Sequence, residues 1–187
     1  MRKIDEQKKL KIKAAVMTLV DQDGLTNLTT AKVAKTAGVS PATLYIYYQD
    51  KTDMLSRIYE LVKDELHAGL LAELSATAPD LAAQLQAMLQ FSVTQYRQQP
   101  RAAHFVQALW TNPEALDEQA LQHGTELDSA LGQLFTKLSV DQAYVNLSRP
   151  AFELIFATPT QLLLRQPTVS DEEVEQLIAV VIKAVQQ

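Results

Sequence analysis

The sequence has no cysteine, which excludes disulfides and thiolate metal sites. It has three histidines, His67, His104 and His123, scattered along the chain and outside any HExxH pattern. A metal enzyme is therefore not expected. No stretch approaches the roughly 20 apolar residues of a membrane helix. Residues 1–13 are charged and carry no apolar run, unlike a signal peptide. We find no nucleophile–base pair, no phosphate-binding loop, no internal repeat and no low-complexity linker. These absences lead us to expect a cytoplasmic protein with no membrane partner, no cofactor and no enzymatic activity.

What is present is a chain of 187 residues with an ordinary apolar share, long enough for a real core. The net charge of −5 would discourage a polyanion as partner, but the charge is unevenly spread. Residues 1–57 carry ten Lys/Arg against six acids, a balance of +4, and residues 58–187 carry seven against sixteen, a balance of −9. A nucleic acid meets the local field, so a basic head on an acidic body remains compatible with binding one.

Apolar residues recur at three- and four-residue steps throughout, and no segment alternates like a strand. An all-α fold is expected. Ile12, Val16, Leu19 and Val20 form one stripe, closed by Gly24. Thr29 or Thr30 can cap a second helix whose inner face is Val33, Ala34 and Ala37. Gly38-Val39 is a tight turn, and Ser40 caps a third helix with Pro41 in its first turn. A fourth helix begins near Asp50 and is expected to run without a break to about residue 75, joining head to body. Beyond Pro79, helices are expected over about 80–98, 101–111, 113–138, 142–165 and 170–186. Pro159 should kink or split the fourth of these.

The segment "GVSPATLYIYYQDK", residues 38–51, carries three tyrosines in four positions. On a helical wheel Leu44 and Tyr48 share the side that packs inward. Ala42, Thr43 and Ile46 lie opposite, flanked by Tyr45 and Tyr47. A short helix with a small outer face after a tight turn suits a DNA major groove. Ala42 and Ile46 can touch thymine methyls, and Thr43 can reach a base edge or phosphate. Tyr45, Tyr47 and Lys51 can hold phosphates, and the basic residues of 2–13 can add attraction independent of sequence. A tyrosine cluster is equally good core or interface material, so this reading rests on the whole arrangement.

The stretch "LTTAKVAKTAGVSPATLYIYYQDKTDML", residues 28–55, resembles the DNA-binding head of the TetR family of repressors. The matching positions include Thr29, Val33-Ala34, Ala37-Gly38-Val39-Ser40, Thr43-Leu44-Tyr45, Tyr47-Tyr48, Lys51 and Leu55. The resemblance covers roughly residues 8–60, about a third of the chain. It implies a three-helix helix-turn-helix head over residues 1–50 and a helical ligand-binding and dimerisation body over residues 51–187. It implies a homodimer that represses transcription from a palindromic operator in double-stranded DNA and is released by a small-molecule effector. The implied DNA contacts are Thr30, Pro41, Ala42, Thr43, Tyr45, Tyr47 and Lys51. With the wheel and the caps added, the site comprises these and Thr29, Ser40 and Ile46. Ala31 stands where some relatives carry a guanine-reading arginine, so operator reading should lean on methyls and shape.

The body is less explicit. The run "AFELIFATPTQLLL", residues 151–164, is apolar almost all round, and "VEQLIAVVIKAV", residues 174–185, is similar. Such helices need cover on more than one side. Paired with a second copy they would form a four-helix dimer core through Phe152, Ile155, Leu162, Leu163, Leu177 and Val181; the other reading keeps them in the protomer's own core. Ligand-lining candidates are Met88, Phe91, His104, Phe105, Trp110 and Phe156, although aromatics at helical spacing are also ordinary core. Glu153 is placed to pair with Arg149 four residues before it. The main rival to a ligand-responsive repressor is an architectural or division-type DNA binder with the same head and no inducer. An all-α enzyme or carrier is a third reading that no residue set supports.

Overall fold

The structure is a computed structural model and describes residues 5–77, 80–123 and 129–187. Among the described residues it contains twelve α-helices, two 3-10 turns and no strand, as the periodicity implied. The helices group into two compact units. The first comprises Met1–Glu65 together with Arg101–His123, and the second Leu66–Pro100 with Gly124–Gln187.

In the first unit α1 spans Glu6–Asp23. Its apolar stripe, Ile12, Val16, Leu19 and Val20, is buried, and Gly24 ends it with an N–H bonded to the Val20 carbonyl. Helices α2, Thr30–Ala37, and α3, Pro41–Tyr47, follow, and α4 runs over Lys51–His67. Val33, Ala34, Leu44, Met54 and Ile58 are fully buried, so each short helix gives its apolar side to one small core. No described helix is long and apolar enough to cross a membrane.

The expected unbroken helix to residue 75 does not form. Helix α4 ends at His67, Gly69 sits at φ +93°, and α5 starts afresh at Leu70–Ala76. A left-handed residue costs glycine nothing, and it stops the α-helical ladder. In the first unit α7, Pro100–Trp110, is followed by a 3-10 turn at Pro113–Ala115 and by a short α8, Glu118–Gln122. The expected helix over 113–138 is thus interrupted. Asp117 caps α8 by accepting from the Ala120 N–H, and Ser129 caps α9, Ala130–Val140. Each cap satisfies N–H groups that an unbroken helix would have bonded to the preceding turn. Pro79 and residues 124–128 of that expected helix lie outside the described residues.

The second unit is built on α6, Leu81–Gln98, which α5, α9, α11 and α12 pack against. Its core joins Leu85, Leu89, Leu134, Phe152, Val174 and Ile178. Phe135, Phe152 and Phe156 pack together with ring centroids 5.7–6.4 Å apart. The helix expected from residue 142 starts only at Arg149: α10 spans Arg149–Phe156. The residues before it are fastened to the chain end instead, with the Val145 N–H donating to Val185 and the Gln187 N–H to Ala143, both at 2.9 Å. Pro159 does split the run, and α11, Thr158–Arg165, begins one residue after Ala157. Helix α12, Asp171–Ala184, closes the chain. Arg149 Nε donates to Glu153 Oε1 at 2.8 Å, the pairing their spacing implied.

Candidate nucleic-acid interface

The turn between α2 and α3 is set by local chemistry. The Thr29 hydroxyl accepts from the Lys32 N–H at 3.2 Å and so starts α2. Gly38, at φ +67°, ends it. The Gly38 N–H donates to Lys35 and the Val39 N–H to Ala34, the paired bonds of a Schellman motif. Ser40 then caps α3, accepting from the Thr43 N–H at 3.0 Å, and Pro41 fits the first turn because its missing N–H has no partner to lose there.

This turn directs α3 so that Leu44 and Tyr48 are buried, Tyr48 with 5 % exposure. Burial, helped by the negative charges of Asp53 and Glu6, pushes the Tyr48 phenol up to about 12. On the outer side Tyr45 and Ile46 are 53 % and 52 % exposed, and Pro41 and Ala42 are open to solvent. Thr43 and Tyr47 are half-buried at the edges. The Tyr45 hydroxyl lies 3.2 Å from Thr30 Oγ1, and the Ser40 and Thr43 hydroxyls lie 2.8 Å apart. The Tyr47 hydroxyl accepts from the Asp5 N–H at 3.3 Å. Lys51 begins α4 beside this surface. The ten residues singled out for DNA, namely Thr29, Thr30, Ser40, Pro41, Ala42, Thr43, Tyr45, Ile46, Tyr47 and Lys51, thus all fall on α2, α3, their caps and the start of α4.

Much of the basic charge in this unit is already answered by acids. Lys8 pairs with Asp5, Lys9 with Glu6, Lys13 with Glu65 and Lys32 with Asp23. Among the described residues Lys11, Lys35 and Lys51 have no carboxylate partner. Arg2 and Lys3 lie outside the described residues. The positive field therefore rests on fewer lysines than the sequence count suggested.

Behind α3 the structure brings together residues the sequence reading passed over. Asp53 Oδ2 accepts from the Gln49 N–H at 2.9 Å, in the joint between α3 and α4. Arg57 places Nε 3.5 Å from Asp53 Oδ1 and donates through Nη1 to Glu60 and through Nη2 to Asp117. Burial works against the Arg57 charge, but Asp117, Glu60 and Asp53 outweigh it and raise its pKa. Burial likewise works against the Asp117 carboxylate. The Ala120 N–H, Arg57 and Ser56 outweigh it, leaving that carboxyl below its usual range. Ser56, fully buried, accepts from the Asp117 N–H at 2.9 Å. A serine in the apolar stripe of α4 and an Asp–Arg pair four apart were the available signals. Nothing in the sequence points to Asp117, sixty residues away.

The ligand candidates fall in both units. His104, Phe105 and Trp110 are on α7 in the first; Met88, Phe91 and Phe156 are in the second. Phe105, Met88 and Phe156 are core residues, and His104 Nδ1 lies 2.8 Å from Asp21 Oδ1 on the surface. The second unit has a half-open cavity of about 100 Å3 that none of the six lines. Its walls are apolar at Leu71, Leu74 and Leu134 and polar at Ser75, Gln84 and Lys137, with the Lys137 ammonium donating to Gln84 Oε1 at 2.9 Å. Of the proposed dimer residues, Phe152, Leu163 and Val181 are buried in the second unit, while Ile155, Leu162 and Leu177 are partly covered. The exposed apolar residues of the same helices are Leu154 and Val180, 61 % and 62 % exposed, which the sequence reading did not single out.

Residues 12–58, the helices that build this surface, match the sequence profile of the bacterial regulatory proteins of the tetR family. The tetR-family match is thus to the head alone, residues 12–58 of the 187. Over its whole length the chain has the fold of a TetR-family transcription regulator from Marinobacter aquaeolei VT8, with a TM-score of 0.81 at 23 % identity and full coverage of both chains. A TetR-family regulator from Haemophilus influenzae RD gives 0.76 at 20 % identity, again over both full chains. The fatty acid degradation regulator FadR of Bacillus halodurans gives 0.70 at 18 % identity, over 97 % of this chain and 95 % of that one. At the sequence level it is 36 % identical over 55 residues to the nucleoid occlusion factor SlmA of Escherichia coli O1:K1. That match spans 29 % of this chain and 28 % of SlmA, so the likeness to this relative is confined to about a quarter of either protein.

Proposed function

We propose that this protein is a transcriptional regulator of the TetR family, a ligand-responsive repressor that binds a palindromic operator as a homodimer and lets go when a small molecule binds its body. The observation that carries the reading is the division of α3 into a buried side, Leu44 and Tyr48, and a solvent-facing side, Ala42, Tyr45 and Ile46. In this reading the exposed side enters the major groove, with Ala42 and Ile46 against thymine methyls and Thr43 at a base edge. Tyr45, Tyr47 and Lys51 grip phosphates, and Thr29, Thr30, Ser40 and Pro41 also lie at the DNA. DNA reading belongs to residues 1–50 and effector binding and dimerisation to residues 51–187, and the protein acts in the cytoplasm. The dimer forms through α10, α11 and α12, which leave Leu154 and Val180 exposed and Ile155, Leu162 and Leu177 partly covered. Leu154→Glu with Val180→Glu therefore yields monomers in sedimentation analysis, and a dimer that persists would move the interface elsewhere. The cavity beside Lys137, about 100 Å3, lies below the 300–1,000 Å3 typical of drug-sized ligands, so an effector held there would be small.

The test is fluorescence anisotropy with DNA from upstream of the protein's own gene, titrated with salt and with competitor DNA. Tight binding that survives competitor and protects two symmetric half-sites supports the repressor. Weak binding that collapses with salt on every sequence alike refutes it. A second reading, a DNA binder of the architectural or division type without an inducer, draws on the match of the head to a nucleoid occlusion factor. Specific binding that no small molecule releases would favour it.

A further inference from the structure

The chain passes between the two compact units at three points, after Glu65, after Pro100 and after His123. Arg57 lies two turns before the first of these passages on α4, and Asp117 lies six residues before the third. Their ion pair ties two separate stretches together inside the first unit. The tie reaches further. From Asp117 through Arg57 and Asp53 it ends on the Gln49 N–H, which belongs to the joint directly after the recognition helix. The other end of α8 is fastened as well: Lys63 Nζ donates to the His123 carbonyl, and His123 Nε2 lies 2.6 Å from Asp64 Oδ1. Residues 56–57 and 63–64, seven apart and so two turns of α4, thus hold the two caps of α8.

Charge makes Arg57 the hub of this arrangement. It is the cation shared by three carboxylates, Asp53, Glu60 and Asp117. Its side chain is 26 % exposed, and hydrogen bonds between charged partners with limited solvent are stronger and less screened than surface pairs. An isolated lysine in its place would supply the charge without the planar fork that reaches several partners at once.

We propose that Arg57 is a positioning residue for operator binding. By clasping Asp53 and Asp117 it fixes the joint behind the recognition helix to the segment that leads into the second unit, and so sets the half-site spacing at which two heads meet DNA. This rests on the dimeric, palindrome-binding reading above. Asp117→Asn is the sharpest variant: asparagine caps a helix as well as aspartate, so α8 keeps its start and only the charge is lost. Arg57→Lys is the companion, keeping charge and losing the fork.

The experiment selects the operator from random DNA with the full chain. It then compares affinity for palindromes whose half-sites are moved apart or together by one base pair. The wild type is expected to prefer one spacing at least tenfold. Both variants are expected to keep the half-site sequence preference and the thermal midpoint, while the spacing preference falls at least threefold. An unchanged spacing ratio in both variants overturns the role of Arg57 and leaves the dimer reading standing. A wild type indifferent to spacing overturns the dimer reading and this proposal with it.

Discussion

The Tyr45 hydroxyl of α3 lies 3.2 Å from the Thr30 hydroxyl at the start of α2. Either oxygen can donate, so the phenol is oriented in the free protein and still has a second hydrogen-bonding position for a phosphate. An oriented donor loses less side-chain freedom on binding than a free one.

Tyr45→Phe is expected to weaken DNA binding by about 1 kcal/mol, the usual net worth of one hydrogen bond, and by nearly the same factor on every operator variant. Lys51→Ala should act likewise and lower the salt slope by about 1. Anisotropy titrations on a panel of single-base operator variants check both. A change confined to one base position would make Tyr45 a base reader instead.

Ile46 is half-exposed and contributes little to the core. Ile46→Ala should leave the thermal midpoint within about a degree or two, since surface changes stay within about 0.5 kcal/mol. It should relax the preference for thymine at one position in a binding-site selection. An unaltered selection would remove Ile46 from base readout.

Gly38 holds φ +67°, and a Cβ built there meets nothing within 4 Å. The cost of Gly38→Ala is therefore backbone strain alone, about 1–2 kcal/mol. Denaturant titration should show the midpoint shifted by that amount with an unchanged slope. No loss of stability would mean that the turn tolerates another conformation.

Tyr48 provides a pH test. Its phenol is raised from 10 to about 12 in the fold, so the folded protein holds its proton more tightly than the unfolded chain. The stability this provides is complete below pH 10 and is lost as the pH rises from 10 through 12. Tyr48→Phe should flatten that part of the stability profile, measured by denaturation at pH 9 and pH 11.5. An equal loss in both proteins would assign the effect to other groups.

The head was legible because its signals are local. A cap lies three residues from the N–H it accepts from, a Schellman glycine bonds within its own turn, and Leu44 and Tyr48 are four apart on one helix face. Each of these distances is short in sequence, so residue type and spacing suffice to read Thr29, Gly38, Ser40 and the two sides of α3. The body was less legible for the same reason in reverse. The breaks after His67, Trp110 and Val140 fall within or beside runs that the apolar spacing had joined into longer helices. An apolar helix such as Arg149–Phe156 looks the same in a sequence whether it faces its own core or a second copy.

The residue pattern alone therefore settled an all-α chain, the caps of its head helices, the two sides of α3 and its uneven charge. Folding decided which lysines remain unpaired, because Lys13 meets Glu65 and Lys32 meets Asp23 only once the helices pack. Folding also placed Arg101–His123 with the head and closed Arg57 on Asp117. An ion pair between residues sixty apart leaves no periodicity to read. It exists because packing of the first unit brings a guanidinium on α4 and the capping carboxylate of α8 together at a half-buried site.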